Sequence, residues 1–260
     1  MAVQDICAAD IQAGILRESL WDCTHPSVSA TRTFHRIDPV IRIFYLSHCF
    51  MDDILKLTAD LRTKAGAYGN EIAALTSSTP PSLRTEVFQM TFNNLTLCLE
   101  LISYYESIWK VATATNATSA KEARKQNGER VILIQKMTFI GILSSVEFCF
   151  KNYIRAFPAK IGECKNSRNQ VYLSTIVNTS HTTGLISPSD FELWNGLIHL
   201  RNYLVHNNGE AQETKTYVYP SSELVLVDGQ MAQGNLELFP HLIDWLLMSS
   251  KSWLEGMHKK

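Results

Sequence analysis

No two of the six cysteines, at 7, 23, 49, 98, 149 and 164, stand at a CxxC or clustered spacing. That absence excludes the common zinc and redox motifs, and it reads as scattered buried thiols in a reducing compartment, so a cytoplasmic location is expected. No metal or other cofactor is implied. No apolar run approaches the roughly 20 residues that span a bilayer, so no membrane partner is expected. The opening stretch MAVQDICAADIQAGILRESLWD is acidic and amphipathic, with neither a basic leader nor an apolar core, and does not predict a secretory signal. The Asn-x-Ser/Thr triplets at Asn94, Asn116 and Asn178 then carry no glycosylation meaning. Charge of one sign is also missing: the net value is −1, which argues against a generic nucleic-acid binder.

What is present is an ordinary globular composition, 45% hydrophobic and 19% charged, over 260 residues. That length allows one large domain or two small ones. The charge is unevenly placed. Residues 119–170 carry 10 basic against 4 acidic groups, whereas 1–118 carry 9 against 12 and 171–260 carry 5 against 9. If the basic segment flanks a site, Lys151, Arg155, Lys160, Lys165 and Arg168 can hold a phosphate backbone; Lys121, Arg124 and Lys125 equally well solvate a helix face.

Periodicity predicts a mainly helical chain. Residues 3–21 fit a first helix, 23–36 a loop, and Val40 to Lys64 a long helix opened by Pro39. A short helix is expected within Gly66 to Pro81, then a long apolar one over Arg84 to Ala112. Nothing in 1–112 has metal-ligand or nucleophile spacing, and His25, His35 and His48 read as surface or satisfied core histidines. Thr113 to Gly128, TATNATSAKEARKQNG, loses its apolar residues and marks a boundary, with Ser119 to Glu122 a capping box that leaves the linker partly helical. The expected organisation is thus an N-terminal helical accessory domain over 1–115 and a helical bundle over 119–260.

In the second part, Val131 to Phe157 reads as a buried helix stopped by Pro158. Asn169 to Ser180 fits a shorter helix, although its β-branched content also permits a strand. The period then falls to two at Thr216–Tyr219 and Leu224–Val227, around Pro220-Ser221-Ser222, which predicts a hairpin. Leu236 to Phe239 is a candidate third strand. Pro240 opens a last helix with Leu242, Trp245, Leu246, Ser249 and Trp253 on one stripe.

Between them lies the stretch that carries chemistry, Trp194 to Gly209, WNGLIHLRNYLVHNNG. Leu197, Leu200, Leu204 and Val205 recur at helical spacing, Ser187-Pro188-Ser189-Asp190 supplies capping residues, and Asn207-Asn208-Gly209 supplies a left-handed stop. Arg201, Asn202 and His206 therefore fall in the last turns of an apolar helix. Asn202 and His206 share a face. Arg201 lies about 140° round from His206, within reach of a long side chain. An arginine is a permanent donor fork matched to phosphate, and a histidine gives or takes a proton near neutral pH. Such a pair suits cleavage of a phosphodiester by the neighbouring ribose 2′-hydroxyl, which needs a proton shuttle and positive charge but no metal. A second Arg-to-His spacing, Arg42 to His48 in RIFYLSH, has isoleucine after the arginine and no helix stop behind it.

RNYLVHNNG resembles the signature of the HEPN domain superfamily, an Arg, a polar residue and then a His at the end of the third helix of a bundle. The resemblance covers roughly residues 119–258. It implies a HEPN-like helical bundle with a small β-hairpin insertion and a metal-independent endoribonuclease in which Arg201, Asn202 and His206 are catalytic. It further implies a homodimer with the site at its interface, RNA as substrate, and a toxin or defence role with an inhibitory partner protein. The branch of the family that carries a Tyr two residues after the His has Asn208 in that place here, so regulation through that tyrosine is not implied. Glu147, in the apolar middle of the 131–157 helix, either pairs with Arg201 and orients it or faces a lysine; Lys151, Arg155 and Asn207 are expected to support the site or bind RNA. Two alternatives stand beside this one. A non-catalytic HEPN-like module would bind a nucleotide or a protein and dimerise, and a helical adaptor would carry the motif by accident.

Overall fold

A computed structural model describes residues 48–79, 82–113, 117–162, 164–165, 168–207, 209–232 and 237–259. The helix expected over 3–21, the 23–36 loop, His25, His35 and Arg42 lie outside them. The described residues form a mainly helical unit: α1 His48–Leu75, α2 Glu86–Thr113, α3 Ala117–Ala156, α4 Leu173–Thr182, α5 Pro188–His206, the strands β1 Lys215–Tyr219 and β2 Ser222–Leu226, and α6 Leu238–Lys259.

Several boundaries follow from local chemistry. Pro158 ends α3 at Ala156 and opens a single 3₁₀ turn, Pro158–Lys160, because its ring lacks the N–H that a continuing helix needs. Ser187 caps α5, its hydroxyl accepting from the Asp190 N–H at 3.1 Å, with Pro188 at the first helical position. At the far end the Gly209 N–H reaches the Tyr203 carbonyl at 2.8 Å, and Gly209 takes φ +90°, a left-handed exit that needs no Cβ.

Other boundaries depart from the periodicity. α1 does not stop near Lys64 but runs on through Leu75. Gly66 and Gly69, which fall past the expected end, sit inside it where α2 comes close. A Cβ on Gly69 would lie 3.4 Å from Phe88, and one on Gly66 3.7 Å from the Phe92 ring. The polar run before Gly128, expected to be partly helical, is helical from Ala117 onward, and Asn127 is buried there, donating to the Tyr105 carbonyl of α2 at 2.8 Å. No third strand forms at 237–239. Leu238 and Phe239 instead begin α6, where both are buried.

α3 is the spine. By length and composition its Gln126–Ala156 portion could cross a membrane, contrary to the expectation of no such run. Within this fold Phe139, Ile142, Leu143, Val146 and Phe150 are buried in a core shared with Leu61 and Ile72 of α1, Phe88 and Leu95 of α2, Trp194 and Leu197 of α5, and Leu242 and Trp253 of α6. Helices from both sides of residues 114–116 thus contribute to one apolar cluster. Lys64–Asp244 and Lys251–Glu71 (3.0 Å) add ion pairs between α1 and α6. At the centre Phe150 stacks on Trp253 with centroids 3.9 Å apart, and the Trp253 indole N–H donates to the Ser180 hydroxyl at 2.9 Å.

The hairpin pairs antiparallel, with Lys215 opposite Leu226 and Tyr219 opposite Ser222. Its period of two is expressed as burial. Tyr217, Tyr219, Leu224 and Leu226 face the helices, while Val218, 64% exposed, faces out. A glycine on α5 sets how close the hairpin comes. Gly196 lies under Tyr217 and Tyr219 with no room for a Cβ, and the Tyr219 hydroxyl donates to the Leu193 carbonyl at 2.7 Å.

Candidate functional site

Ile198, Arg201 and Asn202 stand three and four residues apart and so share one face of α5. That face turns toward α3 and the first turn of α4. Together with Leu143 and Glu147 of α3, and with Tyr172, Leu173 and Ser174, they line a pocket of about 100 Å³. The backbone N–H groups of the first turn of α4 have no helical partners of their own, as at every helix start, and one is taken up locally: the Tyr172 N–H donates to the Thr175 hydroxyl at 2.9 Å.

The charges in this pocket form a chain. Arg201 Nη2 lies 3.9 Å from Glu147 Oε2, and Glu147 Oε1 lies 2.6 Å from Lys151 Nζ. Both roles open to Glu147 in the sequence, partner of the arginine and partner of a lysine, are therefore occupied at once, with the lysine the closer. Arg201 Nη1 also reaches Asn202 Oδ1 at 3.4 Å, too long for more than a weak bond. The arginine side chain keeps 30% of its surface open and Glu147 keeps 16%. An arginine held only at the edge of its carboxylate partner retains donors for a second anion. Lys151 lies over the Tyr172 ring, 5.4 Å from its centroid. Arg155, one turn further along α3, is exposed, and Asn207 caps α5 with its N–H on the Tyr203 carbonyl at 3.0 Å.

His206 is not in the pocket. It is exposed, one turn beyond Asn202 at the open end of α5, and makes no hydrogen bond among the described residues. Within one chain Arg201, Asn202, Glu147 and Lys151 come together, and His206, on the same face as Asn202 but one turn further along, stands past the end of the pocket. Among the described residues no group of three or more His, Cys, Asp or Glu side chains could hold a metal ion.

No protein-family model matches the chain, and no curated protein or solved structure matches it either.

The opposite flank of α5 carries a polar cluster that reading by motif passes over. His199 Nδ1 lies 2.5 Å from Glu213 Oε1 and 3.0 Å from the Tyr217 hydroxyl. Lys215 pairs with Glu192 at 2.9 Å and lies over the Tyr217 ring, 4.8 Å from its centroid. Partial burial, and then the Glu213 carboxylate, push the Tyr203 phenol up from its ordinary range. The available signal was the spacing of His199, Tyr203 and His206, at intervals of four and three along one helix. It names the α5 members of the stripe but not the hairpin groups that meet them.

Proposed function

We propose that this chain is a metal-independent endoribonuclease of HEPN type, acting as a homodimer. The observation that carries the reading is the arrangement at the end of α5: an accessible arginine in a polar pocket, and one turn beyond it an accessible, uncommitted imidazole. In the reaction a base removes the proton of a ribose 2′-hydroxyl, and its oxygen bonds to the adjacent phosphorus. The bond from phosphorus to the 5′-oxygen then breaks, and an acid returns a proton to that oxygen. The products are a 2′,3′-cyclic phosphate and a 5′-hydroxyl; the nucleophile is part of the substrate, so no metal-activated water is needed. Arg201 stabilises charge on the non-bridging oxygens. His206 supplies the proton transfer, and Asn202 binds the scissile group. Because Arg201 and His206 of one chain diverge, two α5 ends meeting at a dimer interface would let the arginine of one protomer and the histidine of the other share a phosphate.

The test is purified protein with labelled RNA in EDTA. His206→Ala is expected to lose about 10²–10⁴-fold in cleavage, and Arg201→Ala to lose cleavage as well, both with unchanged circular dichroism. A His206→Ala protein as active as the parent would remove the reading. One observation favours a second reading, a non-catalytic nucleotide- or protein-binding module: Glu147 already opposes Arg201 in the pocket and pairs with Lys151 beside it. A parent chain that binds RNA without cutting it would support that alternative.

A further inference from the structure

α5 presents a second histidine that the pocket does not use. His199 precedes His206 by seven residues, so at about 100° per residue the two lie within about 20° of each other on the helix surface, and about 10 Å apart along its axis. The connection out of α5 is bent back to meet His199. The Ala211 N–H bonds the Gln230 carbonyl at 2.8 Å, the Gly229 N–H bonds the Ala211 carbonyl at 2.9 Å, and the Ala232 N–H bonds the Gly209 carbonyl at 2.9 Å. This short ladder holds the chain so that Glu213 returns to the imidazole, and the Gly196 contact seats Tyr217 on the same ring nitrogen.

A carboxylate has acceptors only, so the Glu213 oxygen at 2.5 Å requires the proton of the neutral ring to sit on Nδ1. Nε2 is then left with its lone pair, and it makes no hydrogen bond among the described residues. The side chain is 38% exposed. A histidine fixed in one tautomer by a carboxylate, with its other nitrogen open, is the arrangement a general base requires. The groups around it are Glu192 and Tyr203 on α5, Glu213 on the connection, and Lys215 and Tyr217 on β1; Lys215 and Glu192 pair with each other.

We propose that His199 is a second proton-transfer residue of the RNA-cleaving site, positioned by Glu213 and Tyr217 and acting with His206 of the same chain. The assignment rests on the ribonuclease reading above. His199 Nε2 takes the 2′-hydroxyl proton as the bond from O2′ to phosphorus forms. Protonated His206 gives its proton to the 5′-oxygen as the bond from phosphorus to that oxygen breaks. Proton exchange with water then resets both rings, and nothing is oxidised or consumed besides the RNA.

The experiment compares the full-length parent, His199→Ala and Glu213→Gln on labelled RNA in EDTA, each with and without added imidazole, alongside ¹⁵N NMR of the ring nitrogens. The neutral parent is expected to show His199 as the Nδ1–H tautomer, and Glu213→Gln to shift it toward Nε2–H. His199→Ala is expected to lose about 10²–10⁴-fold in cleavage and to regain part of it with imidazole, which a purely structural histidine would not allow. Glu213→Gln is expected to lose about 10–100-fold. A parent that leaves RNA intact overturns the ribonuclease reading and this assignment with it. A parent that cuts, beside a folded His199→Ala protein that cuts equally fast or ignores imidazole, overturns the assignment of His199 alone. An Nε2–H tautomer in the parent overturns the positioning by Glu213.

Discussion

A methyl group at position 196 would sit 2.7 Å from Tyr217 Cγ and from the Tyr219 hydroxyl, and 2.9 Å from Tyr217 Cδ1. None of these atoms is a loose side-chain tip. Tyr217 and Tyr219 are buried, and the Tyr219 hydroxyl is committed to the Leu193 carbonyl. Overpacking of this kind costs about 1–3 kcal/mol, against a gain of about 1 kcal/mol for replacing glycine by alanine within a helix. Gly196→Ala is therefore expected to destabilise by up to about 2 kcal/mol, which for a chain of this size lowers Tm by up to roughly 4–8 °C. The hairpin should move off α5 first, so amide exchange at 215–226 should accelerate before that of α3. Gly256→Ala is the control. There the nearest atom is Cδ1 of Leu185, the free end of a flexible side chain, so the helical gain should prevail and Tm should hold or rise. Thermal melting with hydrogen exchange reads both. A Gly196→Ala protein that melts no lower than the parent, with its hairpin amides still protected, would refute the packing argument and the route by which β1 reaches His199.

Ser180→Ala leaves the buried Trp253 indole N–H without its acceptor and should cost about 1–3 kcal/mol in chemical denaturation. Glu147→Gln removes the carboxylate that holds both Arg201 and Lys151. RNA binding should tighten and its logarithmic salt dependence steepen by about 0.7 for each further phosphate neutralised, measured by fluorescence anisotropy across a salt series. Burial pushes the Cys149 thiol up to about 12 and raises those of Cys98 and Cys164, so these three should resist iodoacetamide at pH 8 and label only after denaturation, as read by peptide mass spectrometry. The same shift has a sign in stability. From about pH 9 to 12 the unfolded chain gives up the Cys149 proton that the folded chain keeps, so stability should fall as pH rises through that window.

What could be read along the chain was what local chemistry decides. The Ser187-Pro188 start of α5, its exit at Gly209, the stop at Pro158 and the alternation of β1 and β2 each depend on residues within a few positions of one another, and they appear in the fold within a few residues of the expected places. The mainly helical class follows from the same periodicities. Where the reading failed, the deciding contact came from far along the sequence. Gly66 and Gly69 fall past the expected end of the first long helix, yet α1 continues through them because it packs on Phe92 and Phe88 of α2; the stretch from Ala117, expected to be partly helical, is helical throughout and tied to α2 by the Asn127 bond to the Tyr105 carbonyl.

The site divides in the same way. That Arg201, Asn202 and His206 belong to one helix end was contained in their spacing. Packing alone settled which of them turn inward: α3 and α4 lie against the Ile198–Arg201–Asn202 face and enclose Glu147 with it, and they do not extend to His206 at the last residue of α5. Glu213 stands 14 residues after His199, and nothing local brings a carboxylate back onto that ring. The hairpin does so, because Gly196 lets two buried tyrosines rest on the helix and the short ladder from Gly209 to Ala232 carries the connection with them.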